Sequence, residues 1–172
     1  MTVRVVTDSI ADLPQGLAAA RRIEVVPLMV MFGDEQLRDG IDITATEFYE
    51  RLTRDAKLPT SSQPSPAVFR EAYERLIADG ATEILSIHVS GKLSGTLDSA
   101  RQGAQGLDAR IVHIDSQMAS LAVGMGVLRA ADAIADGASL DEAAAAVEAQ
   151  FARTHVYIVL DTLEYLRRGG RL

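Results

Sequence analysis

The sequence predicts an α/β fold in three layers, a parallel β-sheet covered by helices on both faces. Short β-branched apolar runs such as Val3 to Val6, Glu83 to Val89 and Ile111 to Ile114 alternate with segments whose apolar residues recur every three or four positions. The runs are mostly apolar, as strands buried on both sides require. With 172 residues and 48% hydrophobic content the chain can bury a sizeable core. Neither an internal repeat nor a low-complexity linker divides it, so residues 1–172 read as one domain.

Each element has its own signal. Val3 to Val6 is a strand that runs into Thr7, Asp8 and Ser9. Pro14 is placed to open a helix through Ala20, because the first turn of a helix has no use for the missing N–H. Ile23 to Phe32 is a second strand. Gly33 and Asp34 then supply turn chemistry before Gln36 to Ile43, giving either a hairpin or a strand with a protruding arm. Thr44 and Glu47 have capping-box spacing, and the helix they start carries Phe48 and Leu52 and stops before Pro59. A hydroxyl-rich loop, Thr60 to Ser65, follows. Ser65 and Pro66 are the N-cap and first position of a helix with Phe69, Ala72, Tyr73, Leu76 and Ile77 on one face, ended by Gly80.

The second half alternates more plainly. Glu83 to Val89 is a strand, Ser99 to Gly106 a helix, Ile111 to Ile114 a strand, and Met118 to Ala135 a long Ala-rich helix. Ser139 and Glu142 cap a helix through Ala152. His155 to Leu160 reads as another strand, and Thr162 to Arg168 as a short helix ended by Gly169 and Gly170.

Composition narrows the function classes. A net charge of −7 with scattered basic residues is the wrong surface for neutralising nucleic-acid phosphates. The sequence has no cysteine, which removes disulfide and thiolate chemistry and suits a reducing, cytoplasmic setting. The start, MTVRVVTDSI, is broken by Asp8 and lacks the apolar core of a signal segment; no apolar run approaches the ~20 residues that span a bilayer. The expected protein is neither exported nor integral to the membrane.

Ligands of open parallel sheets bind beyond the carboxyl ends of the strands. Three segments there are rich in hydroxyls: Thr7-Asp8-Ser9, Ser90 to Thr96, and Asp115-Ser116. Thr60 to Ser65 could face the same edge. Short hydroxyls with free backbone N–H groups suit an anionic oxygen group, whether carboxylate or phosphate. The same residues cap helices in any α/β protein, and capping is the better reading for Ser9, Ser65 and Ser116, and for Asp8 and Asp115. Ser94 sits between Leu93 and Gly95 in a loop longer than a cap needs, which favours ligand contact. His88, His113 and His155 read as core or strand-end residues.

Five segments, TDSIADLP, LPTSSQPSPAVF, SGKLSGTLDSA, HIDSQMASLAVGMG and LEYLRRGGRL, resemble the DegV family in content and order. The resemblance covers the whole chain. It implies a long-chain fatty acid such as palmitate or oleate held between two α/β domains, with its carboxyl group on hydroxyls that correspond to Ser61 and Ser94 here. Ser9, Ser62, Ser90, Gly95, Thr96, Ser116 and Arg171 are further candidates for the site lining. The family more often carries Thr where Ser61 stands, so the hydroxyl is kept and a methyl contact is lost. Arg171 lies in the GGR motif, where the resemblance suggests a guanidinium near the carboxyl or an incoming phosphoryl group; a helix C-cap with a solvated Arg accounts for it equally well.

The resemblance further implies a carrier without catalysis of its own, which presents its lipid to a separate ATP-dependent kinase subunit for acyl phosphate formation. No Walker A sequence, metal-ligand spacing or supportable Ser-His-Asp arrangement stands out against that. Arg167, Arg168 and Arg171 could meet such a partner, although the macrodipole of a helix C-terminus explains them too. The resemblance implies a second domain past the GGR motif, which a sequence ending at Leu172 is expected to lack. A tunnel open on one side forfeits ~0.8 kcal/mol for each acyl CH₂ left in water. Two other readings compete: a flavodoxin-like enzyme that cradles a phosphate or nucleotide and uses Asp8 or Asp115, and a non-lipid interaction module.

Overall fold

The computed structural model describes residues 2–14, 16–55 and 57–171. Its central sheet has four parallel strands, β1 (Val3–Asp8), β2 (Ile23–Val26), β6 (Glu83–His88) and β7 (Arg110–Asp115), in the order β2-β1-β6-β7. Helices α3 (Pro66–Ala78) and α4 (Thr96–Gly103) pack on one face, and α5 (Leu121–Ala135) and α6 (Leu140–Phe151) on the other. These are the three layers expected. Strand alternation sorts the core: Val5, Leu85 and Ile87 meet Val123, Val127 and Leu140, whereas Val6 and Ile84 meet Phe69, Tyr73 and Leu76.

The capping signals form as read. Thr44 and Glu47 close a capping box on α2 (Ala45–Arg54), and Ser139 and Glu142 close one on α6. In both boxes the Glu carboxyl is held below its ordinary range by hydrogen bonds from the capping residue's hydroxyl and backbone N–H. Ser65 caps α3 by accepting from the Val68 N–H, with Pro66 at the first position.

Several boundaries differ from the sequence reading. The run from Ile23 to Phe32 splits at Pro27, which cannot donate to a ladder, into β2 of the main sheet and β3 (Met29–Phe32) of a second one. Strand β3 forms a hairpin with β4 (Glu35–Arg38), so the hairpin alternative is the one realised. Its other neighbour is β5 (Thr60–Ser62), in the segment expected to be a loop: the antiparallel ladder with β3 makes a strand of hydroxyl residues that have little apolar pattern. The helix expected from Pro14 is the four-residue α1 (Leu17–Ala20), with Gly16 before it and Gln15 outside the described residues. Helix α4 begins at Thr96 rather than Ser99, and α5 at Leu121 rather than Met118, where Ser116 still turns the chain.

The run from His155 to Leu160 is not a strand. It is irregular, with Tyr157 89% and Val159 96% exposed. A strand exists through its ladder, and among the described residues none is paired with this segment. The short helix that follows, α7 (Glu164–Arg168), forms within the expected range.

Candidate functional site

All four strands of the main sheet run the same way, so the segments after β1, β6 and β7 gather at one edge. The hydroxyls there fall into two groups. Ser9, Ser90 and Ser116 each accept a backbone N–H. Ser9 Oγ accepts the Leu28 N–H at 3.1 Å, and Ser116 Oγ accepts from Met118 N at 3.1 Å. Ser90 Oγ accepts the Lys92 N–H, while its carbonyl takes the N–H groups of Leu93 at 2.9 Å and Ser94 at 3.1 Å. The Ser90 N–H donates in turn to the Met118 carbonyl at 2.8 Å, so the loops after β6 and β7 are sewn together.

Ser61 and Ser62 are different. They lie exposed on β5, opposite Val30 and Met29. The next residue, Gln63, reaches the loop before α4: its Nε2 donates to Ser99 Oγ at 3.4 Å, and its amide packs on the backbone of Gly95. A Cβ at Gly95 would stand 2.6 Å from Gln63 Nε2, so glycine permits the approach of the two segments. Ser94, half-buried beside this contact, pairs its Oγ with Thr96 Oγ1 at 2.8 Å and accepts the Thr96 N–H. No side chain caps α4 at Gly95.

Beside Ser61 a groove of about 270 Å³ is walled by Val30, Phe48, Tyr49 and Pro59. Asp12, Asp39 and Ala45 lie between it and a larger cavity of about 540 Å³ that extends to Leu13, Pro14, Val25, Pro27 and Ile41. Helix α2 borders both without burying any residue fully, which leaves Tyr49 64% exposed on the wall. The arrangement offers neutral hydroxyls and a groove with an aromatic wall on one side and the carboxylates of Asp12 and Asp39 on the other.

Arg171 is placed away from these groups in the hydrogen-bond pattern. Its guanidinium donates to the Gly169 carbonyl and its N–H to the Leu166 carbonyl at 2.9 Å, with Gly170 at φ +69° making the turn. That is the C-cap alternative. Leu172 lies outside the described residues.

Spacing did not show a buried polar chain on the α3 side of the sheet. Asp8 Oδ2 accepts from His88 Nδ1 at 2.9 Å, and His88 Nε2 meets Ser86 Oγ at 2.7 Å. Ser86 Oγ meets Tyr73 OH at 2.8 Å, and Tyr73 OH lies 3.4 Å from His113 Nε2. This is the connectivity of a hydrolytic triad, but the Ser86 hydroxyl has zero exposure and both its neighbours are within the protein. It cannot meet a substrate. Burial pushes the Tyr73 phenol well up and the His113 imidazole down to about 4. The one signal in the sequence was parity: Ser86 and His88 interrupt an apolar strand at alternate positions, on one face. Asp8 also caps the turn at Ser9–Ala11, and Asp115 accepts from Gly91 and Gln117, as the capping reading expected. Among the described residues no group of three or more His, Asp or Glu converges as a metal site.

Fold and edge together define a three-layer α/β domain whose loops gather past the carboxyl ends of parallel strands. Comparison with known proteins makes the class specific. The chain belongs to the DegV family, a family of uncharacterised proteins whose pattern it matches over residues 2–172. It is 37% identical to a DegV domain-containing protein of Deinococcus radiodurans, covering 100% of this chain and 61% of the relative. The structure of a fatty-acid-binding DegV family protein from Thermus thermophilus superposes with a TM-score of 0.87 at 43% identity, covering 99% of this chain and 60% of that one. DegV of Bacillus subtilis, a fatty acid binding protein, superposes at 0.89 with 31% identity, covering 99% of this chain and 61% of that one. The chain thus spans about 60% of the length of these relatives. Among the described residues no helix is long and apolar enough to cross a membrane.

Proposed function

We propose that this chain binds a long-chain fatty acid such as palmitate or oleate and presents its carboxyl group to a separate, ATP-dependent kinase subunit. Ser61 and Ser94 donate to the carboxylate, Ser62, Gly95 and Thr96 complete the lining, and the acyl chain lies along the trough below Val30, Phe48 and Tyr49. The observation that carries this reading is the contact of Gln63 with Gly95, which brings two hydroxyl segments together beside a groove walled by Val30, Phe48, Tyr49 and Pro59. Fatty-acid-binding relatives of the same fold support it.

Neutral donors suit the division of labour. Two hydroxyl hydrogen bonds orient a carboxylate without tying its charge in an ion pair, so an oxygen remains nucleophilic. That oxygen attacks the γ-phosphorus of ATP on the kinase, ADP leaves, and an acyl phosphate results. The carrier supplies orientation and burial, the kinase supplies the chemistry, and the use of ATP places both in the cytoplasm.

The test is organic extraction of the purified protein and mass spectrometry of released lipid, before and after incubation with oleate. Bound fatty acid is expected, reduced about tenfold or more in Ser61→Ala/Ser94→Ala by the loss of two hydrogen bonds to a charged group. The double variant should lose no more than about 1–2 kcal/mol of stability, since Ser61 is exposed and Ser94 is half-buried with its hydroxyl bonded to Thr96. Lipid retained in full by the double variant would sink the serine assignment, and its absence from the wild type after incubation would sink the fatty-acid reading. Adding the kinase subunit, ATP and hydroxylamine should trap the acyl phosphate as a hydroxamate.

A further inference from the structure

The two serines assigned to the carboxyl group sit on separate parts of the chain, one on the arm and one before α4. Both are suspended from a single buried side chain. Asp8 has zero exposure. Its Oδ1 accepts the Ile10 N–H at 3.1 Å, and its Oδ2 accepts the Val89 N–H at 3.1 Å and His88 Nδ1 at 2.9 Å. One carboxylate therefore ties the end of β1 to the end of β6.

From Asp8 two routes of consecutive bonds lead outward. On the β6 side, Val89 precedes Ser90, whose carbonyl fixes the N–H groups of Leu93 and Ser94. On the β1 side, Ile10 follows Ser9, whose hydroxyl takes the Leu28 N–H; Leu28 precedes β3, and Val30 of β3 is paired with Ser61. We propose that Asp8 is a positioning residue for the carboxyl edge, setting the loop of Ser94 and the arm of Ser61 against one another. The proposal rests on the lipid-binding reading above, and adds to it the group that fixes the distance between its two hydroxyls.

Capping alone does not account for Asp8. A cap needs only the bond to Ile10 and is ordinarily made at the surface, where a carboxylate keeps its water. Burying that carboxylate completely demands a full set of donors, and the fold supplies three. It also supplies an orienting chain. A carboxylate can only accept, so Nδ1 of His88 carries a proton, and Nε2 is left to accept from Ser86 Oγ. Ser86 then accepts from Tyr73, a phenol that burial keeps protonated. Every donor in the chain points toward Asp8, and the tautomer this network assigns to His88 is Nδ1–H.

The experiment is residue-resolved hydrogen exchange by NMR on wild type, Asp8→Asn and His88→Asn, with oleate titration alongside. In Asp8→Asn the amides of Val89, Ser94 and Leu28 should exchange about tenfold faster or more, while those of Val127 and Val147 on the opposite face stay within about twofold. His88→Asn leaves the carboxylate in place and should give the same pattern more weakly, which keeps the test open if Asp8→Asn fails to fold. Wild-type His88 should show a protonated Nδ1 and an unprotonated Nε2 in its ring ¹⁵N shifts. Oleate affinity should fall with the exchange protection. Acceleration spread evenly over both faces, unchanged exchange at Ser94 and Leu28, or the opposite tautomer would overturn the proposal. Exchange is read without lipid, so a wild type that binds no oleate defeats the fatty-acid reading and leaves the positioning role to be decided by the amides.

Discussion

Toward α5 and α6 the sheet presents Val5, Leu85, Ile87 and Ile114, and toward α3 and α4 the same strands present Val6, Asp8, Ser86, His88 and His113. The first face is a hydrophobic core closed by Val123, Val127, Leu140 and Val147, all of zero exposure. The second spends part of its buried area on a polar chain that runs from the carboxyl edge to Tyr73. Burial of apolar area has no preferred direction, whereas a hydrogen-bonded chain fixes angles and register. The difference teaches that one face holds the domain together and the other sets where its edge loops stand.

The largest test of that division is on the apolar face. Leu85 is fully buried in the central strand β6, with no polar partner to lose. Leu85→Ala should destabilise the fold by about 2–5 kcal/mol in denaturant titration, from lost transfer energy and the cavity left behind. Exchange at Val89 and Ser94, compared with Val127, should keep its wild-type ratio. A loss of the edge amides alone would erase the distinction between the faces.

How much of this could be read from the sequence depended on how local the cause is. The capping boxes at Thr44 and Ser139 and the Ser65-Pro66 start of α3 lie within four residues and were legible. The main-sheet strands were legible because burial on both faces leaves nearly continuous apolar runs. Strand β5 was not, since Thr60, Ser61 and Ser62 become a strand only through their bonds to β3, thirty residues earlier in the chain. His155 to Leu160 failed in the opposite sense: the composition suits a strand, and among the described residues nothing pairs with the segment. At the site, Ser61 and Ser94 came from resemblance and loop length, and the contact through Gln63 and Gly95 had no local signal. Asp8 and His88 are 80 positions apart, and a bond over that separation shows in a sequence only as polar residues on one face of an apolar strand.

A smaller effect comes from the exception on the apolar face. Thr7 is fully buried on the same side as Val5, and among the described residues its Oγ1 has no hydrogen-bond partner. An unsatisfied buried hydroxyl carries a desolvation cost, and valine has nearly its shape with a methyl group in its place. Thr7→Val should therefore stabilise the fold by about 1 kcal/mol in the same denaturant titration. A loss of stability instead would mean that the hydroxyl is bonded, and that this face too contains a polar anchor.

The smallest effect tests the polar face through pH. His113 is half-buried, and burial lowers its pKa from 6.5 to about 4. Between those values the unfolded chain binds a proton that the folded chain refuses, so stability falls as pH drops from 6.5 toward 4 and is fully present above that window. Carboxyls held low by their partners, Glu47, Glu142 and Asp42, lose their contribution only as pH falls through and below the ordinary carboxylate range. The stretch from pH 6.5 down to about 5 is therefore where His113 can be seen apart from them. Part of the ring meets solvent, which screens the effect and makes it the weakest of the three. His113→Gln, which keeps a side-chain amide in reach of Tyr73, should flatten the stability profile in that stretch. Equal slopes in both proteins would show that the imidazole titrates freely and that the polar chain stops at Tyr73.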